Sequence, residues 1–118
     1  MAVRVFQYAK CGTCRKALAL LDALGVEYET VDIVTAPPSR EQLAKVLDES
    51  GLPIAKLFNT SGQSYRDGGY KERLPKLSHD QALRELAADG KLIKRPIVIG
   101  NGFALVGFDE ASYRRRFG

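Results

Sequence analysis

Lys10-Cys11-Gly12-Thr13-Cys14-Arg15-Lys16 contains both cysteines of this 118-residue chain, spaced C-x-x-C. Before it, Val3, Val5 and Gln7 alternate with Arg4, Phe6 and Tyr8, the pattern of a short β-strand. After it, Ala17, Leu20, Leu21 and Leu24 recur at i, i+3, i+4 and i+7, one stripe of an amphipathic helix. A Cys-x-x-Cys between a strand and a helix is the setting of dithiol redox chemistry. Gly25 follows as a left-handed helix terminator, and residues 26–34 read as a second strand. Strand, helix and strand in that order form a right-handed βαβ unit, so the two strands are predicted to be parallel.

Outward from this unit the pattern changes. Pro37-Pro38 stops the second strand, and Ser39 with Gln42 makes a capping box ahead of Leu43, Val46 and Leu47, closed by Gly51. From Pro53 the chain is predicted to run through short turns, with Tyr65, Tyr70 and Leu74 as packing anchors. Ser78 and Gln81 repeat the capping box, with Ala82, Leu83, Leu86 and Ala87 on the buried side and Gly90 as terminator. Residues 37–90 thus read as an all-helical insertion in a core made of residues 1–36 and 91–118. Beyond it, Pro96 cannot donate to a ladder and must begin a strand or lie at an edge. Ile97-Val98-Ile99, Gly100-Asn101-Gly102 and Phe103-Ala104-Leu105-Val106 signal a hairpin, and Asp109 caps a last helix containing Ala111 and Tyr113.

The composition sets bounds. A chain this long buries a core without disulfide staples, so the cysteines are available for function. The 18 Lys+Arg against 14 Asp+Glu leave a formal charge of only +4, mixed along the chain. Arg114-Arg115-Arg116 reads as a solvated helix end; a nucleic-acid footprint needs a wider basic face, and none is expected here. No stretch approaches a membrane span, and the chain enters its first strand pattern without an apolar leader, so a cytoplasmic location is expected. Two cysteines and one distant His79 fall short of four zinc ligands, and no metal is expected. His79, just after a helix cap, reads as an exposed helix-start residue.

Larger segments carry a family likeness. Residues 8–17 around the cysteines, Pro37-Pro38-Ser39-Arg40-Glu41, Leu57-Phe58-Asn59-Thr60-Ser61-Gly62, Ile93-Lys94-Arg95-Pro96-Ile97-Val98 and Val106-Gly107-Phe108 resemble the ArsC/Spx family of thioredoxin-fold proteins. The likeness covers essentially the whole chain. It implies an α/β, thioredoxin-like fold with a four-stranded mixed sheet and a helical insertion. It also implies a thiol–disulfide oxidoreductase similar to the arsenate reductases, restored by an external thiol reductant such as glutathione/glutaredoxin or thioredoxin, with no bound cofactor. The alternative is an Spx-like redox-sensing regulator that binds the RNA polymerase α subunit, its Cys11–Cys14 disulfide acting as the switch.

Within that frame Cys11, at the head of a helix, is the expected nucleophile. Free N–H groups and the positive helix end favour a thiolate, and such placement can lower a thiol pKa from about 8.5 to roughly 3.5–7.5. Gly12, Thr13 and Arg15 form the expected anion-binding turn, with Lys10 and Lys16 adding to its potential. Cys14 is the expected resolving thiol. The resemblance implies a cis Arg95-Pro96 bond and an Arg95 guanidinium near the Cys11 sulfur. It also implies arginines where this chain has Asn59 and Gly107, and a serine-like residue at position 14. One arginine in place of three favours dithiol exchange over an oxyanion cradle.

Overall fold

Alternation along β1 (Val3–Gln7) sends Val3 and Val5 to one face and Phe6 to the other, and all three are buried. A strand buried on both faces needs a layer on each side. The computed structural model describes residues 2–118, and Met1 lies outside them. β1 pairs in parallel with β2 (Tyr28–Asp32), Val5 opposite Thr30. On its other edge it pairs antiparallel with β3 (Ile97–Ile99), Val5 opposite Val98. A second antiparallel ladder joins β3 to β4 (Ala104–Val106), so the sheet runs β2-β1-β3-β4. This is the four-stranded mixed sheet expected.

One face is covered by α1 (Gly12–Ala23) and α6 (Glu110–Phe117), which pack on each other. There Val3, Val5 and Val98 meet Ala17, Leu20, Leu21 and Tyr113. Phe6, Ile97 and Ala104 point the opposite way, into a larger core with Ile33 and the helices that follow β2. Those are α2 (Arg40–Ser50), α3 (Gln63–Asp67), α4 (Tyr70–Arg73) and α5 (His79–Ala88). Each fully buried leucine, such as Leu43 or Leu86, contributes about 1.5–3 kcal/mol by leaving water. No described helix is long and apolar enough to cross a membrane.

Local chemistry explains most element boundaries. The Oγ atoms of Ser39 and Ser78 accept the backbone N–H groups of Gln42 and Gln81, and each glutamine Oε1 accepts the backbone N–H of its serine. Gly25 and Gly51 end α1 and α2 at φ of 71° and 69°. Pro96 stands just outside β3, a central strand that a proline would have interrupted. Asp109 occupies the N-cap position of α6, where its carboxylate accepts the Ser112 hydroxyl at 2.6 Å.

Two expectations change. The stretch after Pro53 is more ordered than a series of turns: it holds α3, α4 and 3-10 turns at Ile54–Leu57 and Leu74–Lys76. Gly90 does not terminate α5 in a left-handed conformation. That helix ends at Asp89 with φ −147°, and Gly90 opens a further 3-10 turn, Gly90–Leu92. A Cβ on Gly90 would lie 1.8 Å from the Ile33 carbonyl oxygen, so the glycine is required by close packing of backbone on backbone. Gly90→Ala should therefore lower the free energy of unfolding by about 3 kcal/mol, as overpacking does. Gly25→Ala meets open space and only left-handed strain, and should cost about 1 kcal/mol. Urea unfolding of the two variants checks the contrast.

Candidate active site

β1 ends at Gln7, and the chain turns through a Tyr8 carbonyl to Cys11 amide bond of 3.0 Å before α1 begins. That turn makes Cys11 the N-cap residue, extended at φ −96° and ψ 113°. Its Sγ accepts the backbone N–H of Cys14 at 3.3 Å. The sulfur thus holds the position that a serine hydroxyl holds at the start of α2 and α5. An anionic acceptor is favoured there by the helix end as well as by the bond itself.

Both cysteines are free thiols in unequal surroundings. Cys11 is half-buried, whereas Cys14 is fully buried one turn into α1. Partial burial opposes charge on Cys11. Hydrogen bonds from the Cys14 thiol and amide, joined by the Arg95 guanidinium, outweigh it and hold the Cys11 pKa below the ordinary thiol value. Cys14 is pushed up to about 12, first by burial and then by the hydrogen bond it gives to Cys11 and the negative charge it faces there; the Tyr8 backbone offsets part of this. One sulfur is tuned to lose its proton and the other to keep it.

Arg95 reaches the site from the segment that leads into β3, the strand beside β1 in the sheet. The Arg95-Pro96 bond is cis, as the family likeness implies. The Arg95 guanidinium also lies 5.4 Å from the centre of the Tyr8 ring, a cation–π contact that orients it. Upstream, the insertion is latched to this segment. Phe58 and Ile93 form an antiparallel bridge, flanked by Asn59 N–H to Leu92 carbonyl and Lys94 N–H to Leu57 carbonyl bonds, both 2.8 Å.

The latch closes a hollow of about 300 Å3 beside the sulfur. Cys11, Thr13 and Arg95 line it together, as do Asn59 and Ser61 from the insertion, Lys94, and Phe108 after β4. A larger hollow, about 700 Å3, lies at the other end of β1 among Val3, Gly25, Phe103 and Phe117, and holds no nucleophile.

Of the residues singled out from sequence, Cys11, Cys14, Arg95 and Thr13 come together here. Gly12 and Arg15 sit in the first turn of α1 but do not line the hollow, and the Arg15 guanidinium turns back to the Ala9 carbonyl at 3.4 Å. Lys10 and Lys16 are exposed. Sequence reading missed Lys94, Ser61 and Phe108 as site residues, and Tyr8 as the partner of Arg95. Their signal was present, since each lies in a segment that carries the family likeness, but nothing in the spacing brought those segments together. His79 begins α5 as an exposed residue.

Comparison with known proteins agrees along the full chain. The model of the ArsC family matches residues 6–116. The Bacillus subtilis protein YusI is 42% identical over 99% of both chains. An arsenate reductase of Neisseria meningitidis is 32% identical over 89% of both. Among solved structures, an ArsC family related protein from Bacteroides fragilis superposes with a TM-score of 0.94 at 37% identity, covering 98% of this chain and 97% of its own.

Alkylation separates the two thiols. Iodoacetamide at about pH 6 should label Cys11 and leave Cys14 untouched in the folded protein. Arg95→Met removes one of the groups that lower the Cys11 pKa, so the midpoint of its pH–rate profile should move to higher pH. An unmoved midpoint would separate Arg95 from the sulfur.

Proposed function

This chain belongs to the ArsC family, and from that footing we propose that it is a thiol–disulfide oxidoreductase with Cys11 as nucleophile and Cys14 as resolving thiol. The observation that carries the reading is the Cys11 sulfur used as an N-cap, lowered in pKa, with a buried thiol donating to it. A thiolate is the attacking species in exchange, and the lowered pKa of Cys11 favours that form.

The steps follow from the unequal pair. The Cys11 thiolate attacks one sulfur of a disulfide, forming a mixed disulfide and releasing the other half as a thiolate, which takes a proton. Cys11 is then neutral. The Cys14 thiol loses both its acceptor and the negative charge that helped raise its pKa, so it gives up its proton more readily. Its thiolate attacks the Cys11 sulfur, forming the Cys11–Cys14 disulfide and releasing the second half of the substrate. An external thiol, of the glutathione/glutaredoxin or thioredoxin kind, supplies the two electrons that reopen it. This cycle belongs in a reducing, cytoplasmic setting. Arg95 stabilises negative charge on sulfur throughout, and Gly12, Thr13 and Arg15 form the turn that presents the helix amides.

The relatives whose names state an activity are arsenate reductases, which favours an enzyme over a polymerase-binding regulator. For arsenate itself the hollow offers Asn59, and the chain has a buried Gly107 beside the lining residue Phe108, where the family likeness implies guanidinium groups. We therefore assign disulfide exchange as the main chemistry and expect slow turnover of arsenate.

Cys14→Ser tests the division of labour. Treated with a small disulfide, the variant should accumulate a mixed disulfide on Cys11, while the wild type passes on to the internal disulfide. Intact mass spectrometry reads both. A wild type that also stops at the adduct would exclude Cys14 as resolving thiol.

A further inference from the structure

The exchange reading leaves open what kind of sulfur compound the hollow accepts. Its lining is one-sided in charge: Lys94 and Arg95 are cationic, Thr13, Asn59 and Ser61 are neutral hydrogen-bonding groups, and no carboxylate is present. Arg95 is engaged by the Cys11 sulfur and the Tyr8 ring. Lys94 is not: among the described residues the ion pairs join Arg4, Arg40, Arg73, Arg84 and Arg114 to acidic partners, and none includes Lys94.

The Lys94 side chain runs over Gly107. That glycine is buried, with φ 77°, and Cγ, Cδ and Cε of Lys94 lie 3.9, 3.6 and 2.9 Å from where its Cβ would be. A side chain at 107 would displace the outer part of the lysine from this path. Gly107 is itself pinned, its N–H donating to the Pro96 carbonyl at 2.8 Å and its carbonyl accepting the buried Tyr113 hydroxyl at 2.8 Å. The Lys94 backbone is held by its bond to Leu57. A fixed bare strip of backbone therefore carries the lysine stem beside the hollow that its side chain lines, filling space that the family likeness assigns to an arginine from position 107.

We propose that Lys94 is the specificity-determining residue of the site, its ammonium receiving a carboxylate carried by a small disulfide whose sulfur is attacked by Cys11. The proposal rests on the exchange reading above. Before attack, the Cys11 thiolate balances Arg95 and leaves Lys94 as the free charge. On attack the thiolate becomes one sulfur of a neutral mixed disulfide, the departing half carries the negative charge away, and the bound half leaves its carboxylate against Lys94. A volume of about 300 Å3 suits a small molecule.

The test compares alkylation of Cys11 by iodoacetate, which carries a carboxylate, with alkylation by neutral iodoacetamide, at low salt in the full chain. Lys94→Gln should lower the iodoacetate-to-iodoacetamide rate ratio by about two- to fivefold, as for an exposed charge pair. Lys94→Glu should lower it by about tenfold, Lys94→Arg should retain it, and added salt should shrink the wild-type ratio. A merely structural role would slow both reagents alike, and an unchanged ratio in Lys94→Gln overturns the proposal. The same ratios are then measured with dithiodipropionate, hydroxyethyl disulfide and cystamine, where Lys94→Glu should shift preference towards the cationic cystamine. A changed alkylation ratio in a protein that reacts with none of these disulfides retains the anion selection and removes the exchange reading instead.

Discussion

The hydrogen bond from the Cys14 amide to the Cys11 sulfur is the interaction on which the site depends. It serves two ends at once. As an N-cap it satisfies one of the donors that every helix start leaves open, worth about 1 kcal/mol when the acceptor is a hydroxyl. As a bond to the charged form of an acid it lowers the pKa of that acid. At the heads of α2 and α5 serine provides the first effect alone. At α1 the acceptor is a sulfur, so the starting geometry of the helix and the charge of that sulfur cannot be changed separately. The reduced protein gains stability from Cys11 above the ordinary thiol pKa and loses it as pH falls through the lowered value. Cys14, raised to about 12, acts in the opposite sense, and its contribution fades as pH rises from the ordinary thiol range towards that value.

The second constraint is the latch between the insertion and the segment leading into β3. The bridge at Phe58 and Ile93, with its two flanking bonds, ties Asn59 and Ser61 to Lys94 and Arg95. Antiparallel pairing of β3 with β1 then sets this assembly beside the end of β1, where the cysteine turn begins. The hollow is thus built from four separate parts of the chain: the α1 turn, residues 59–61, residues 94–95 and Phe108. Phe58, Tyr65 and Tyr70 pack as an aromatic group beneath the latch and give it a firm base.

Local rules read well wherever a single turn or cap decides the structure. The βαβ unit, both capping boxes, Gly25, Gly51 and the β3–β4 hairpin were all legible, because each depends on residues within a few positions of one another. Gly90 was misread because its reason is the Ile33 carbonyl, a neighbour only in the fold. The short helices after Pro53 were invisible to periodicity, since runs of four or five residues do not complete a repeat.

The cations show the same division. Lys10, Arg15 and Lys16 were prominent by adjacency, yet Arg15 faces Ala9 and none of the three lines the hollow. Lys94, some eighty positions from Cys11, does line it. By itself the sequence determined that a strand would hand two thiols to the head of a helix, because hydrophobic period, turn chemistry and C-x-x-C spacing act over short range. The family likeness pointed to Arg95 beside the sulfur, whereas tertiary structure alone brought Lys94 into the same hollow. Electrostatic influence depends on distance in space and on shared burial, and both are set by strand order and by the bridge between Phe58 and Ile93.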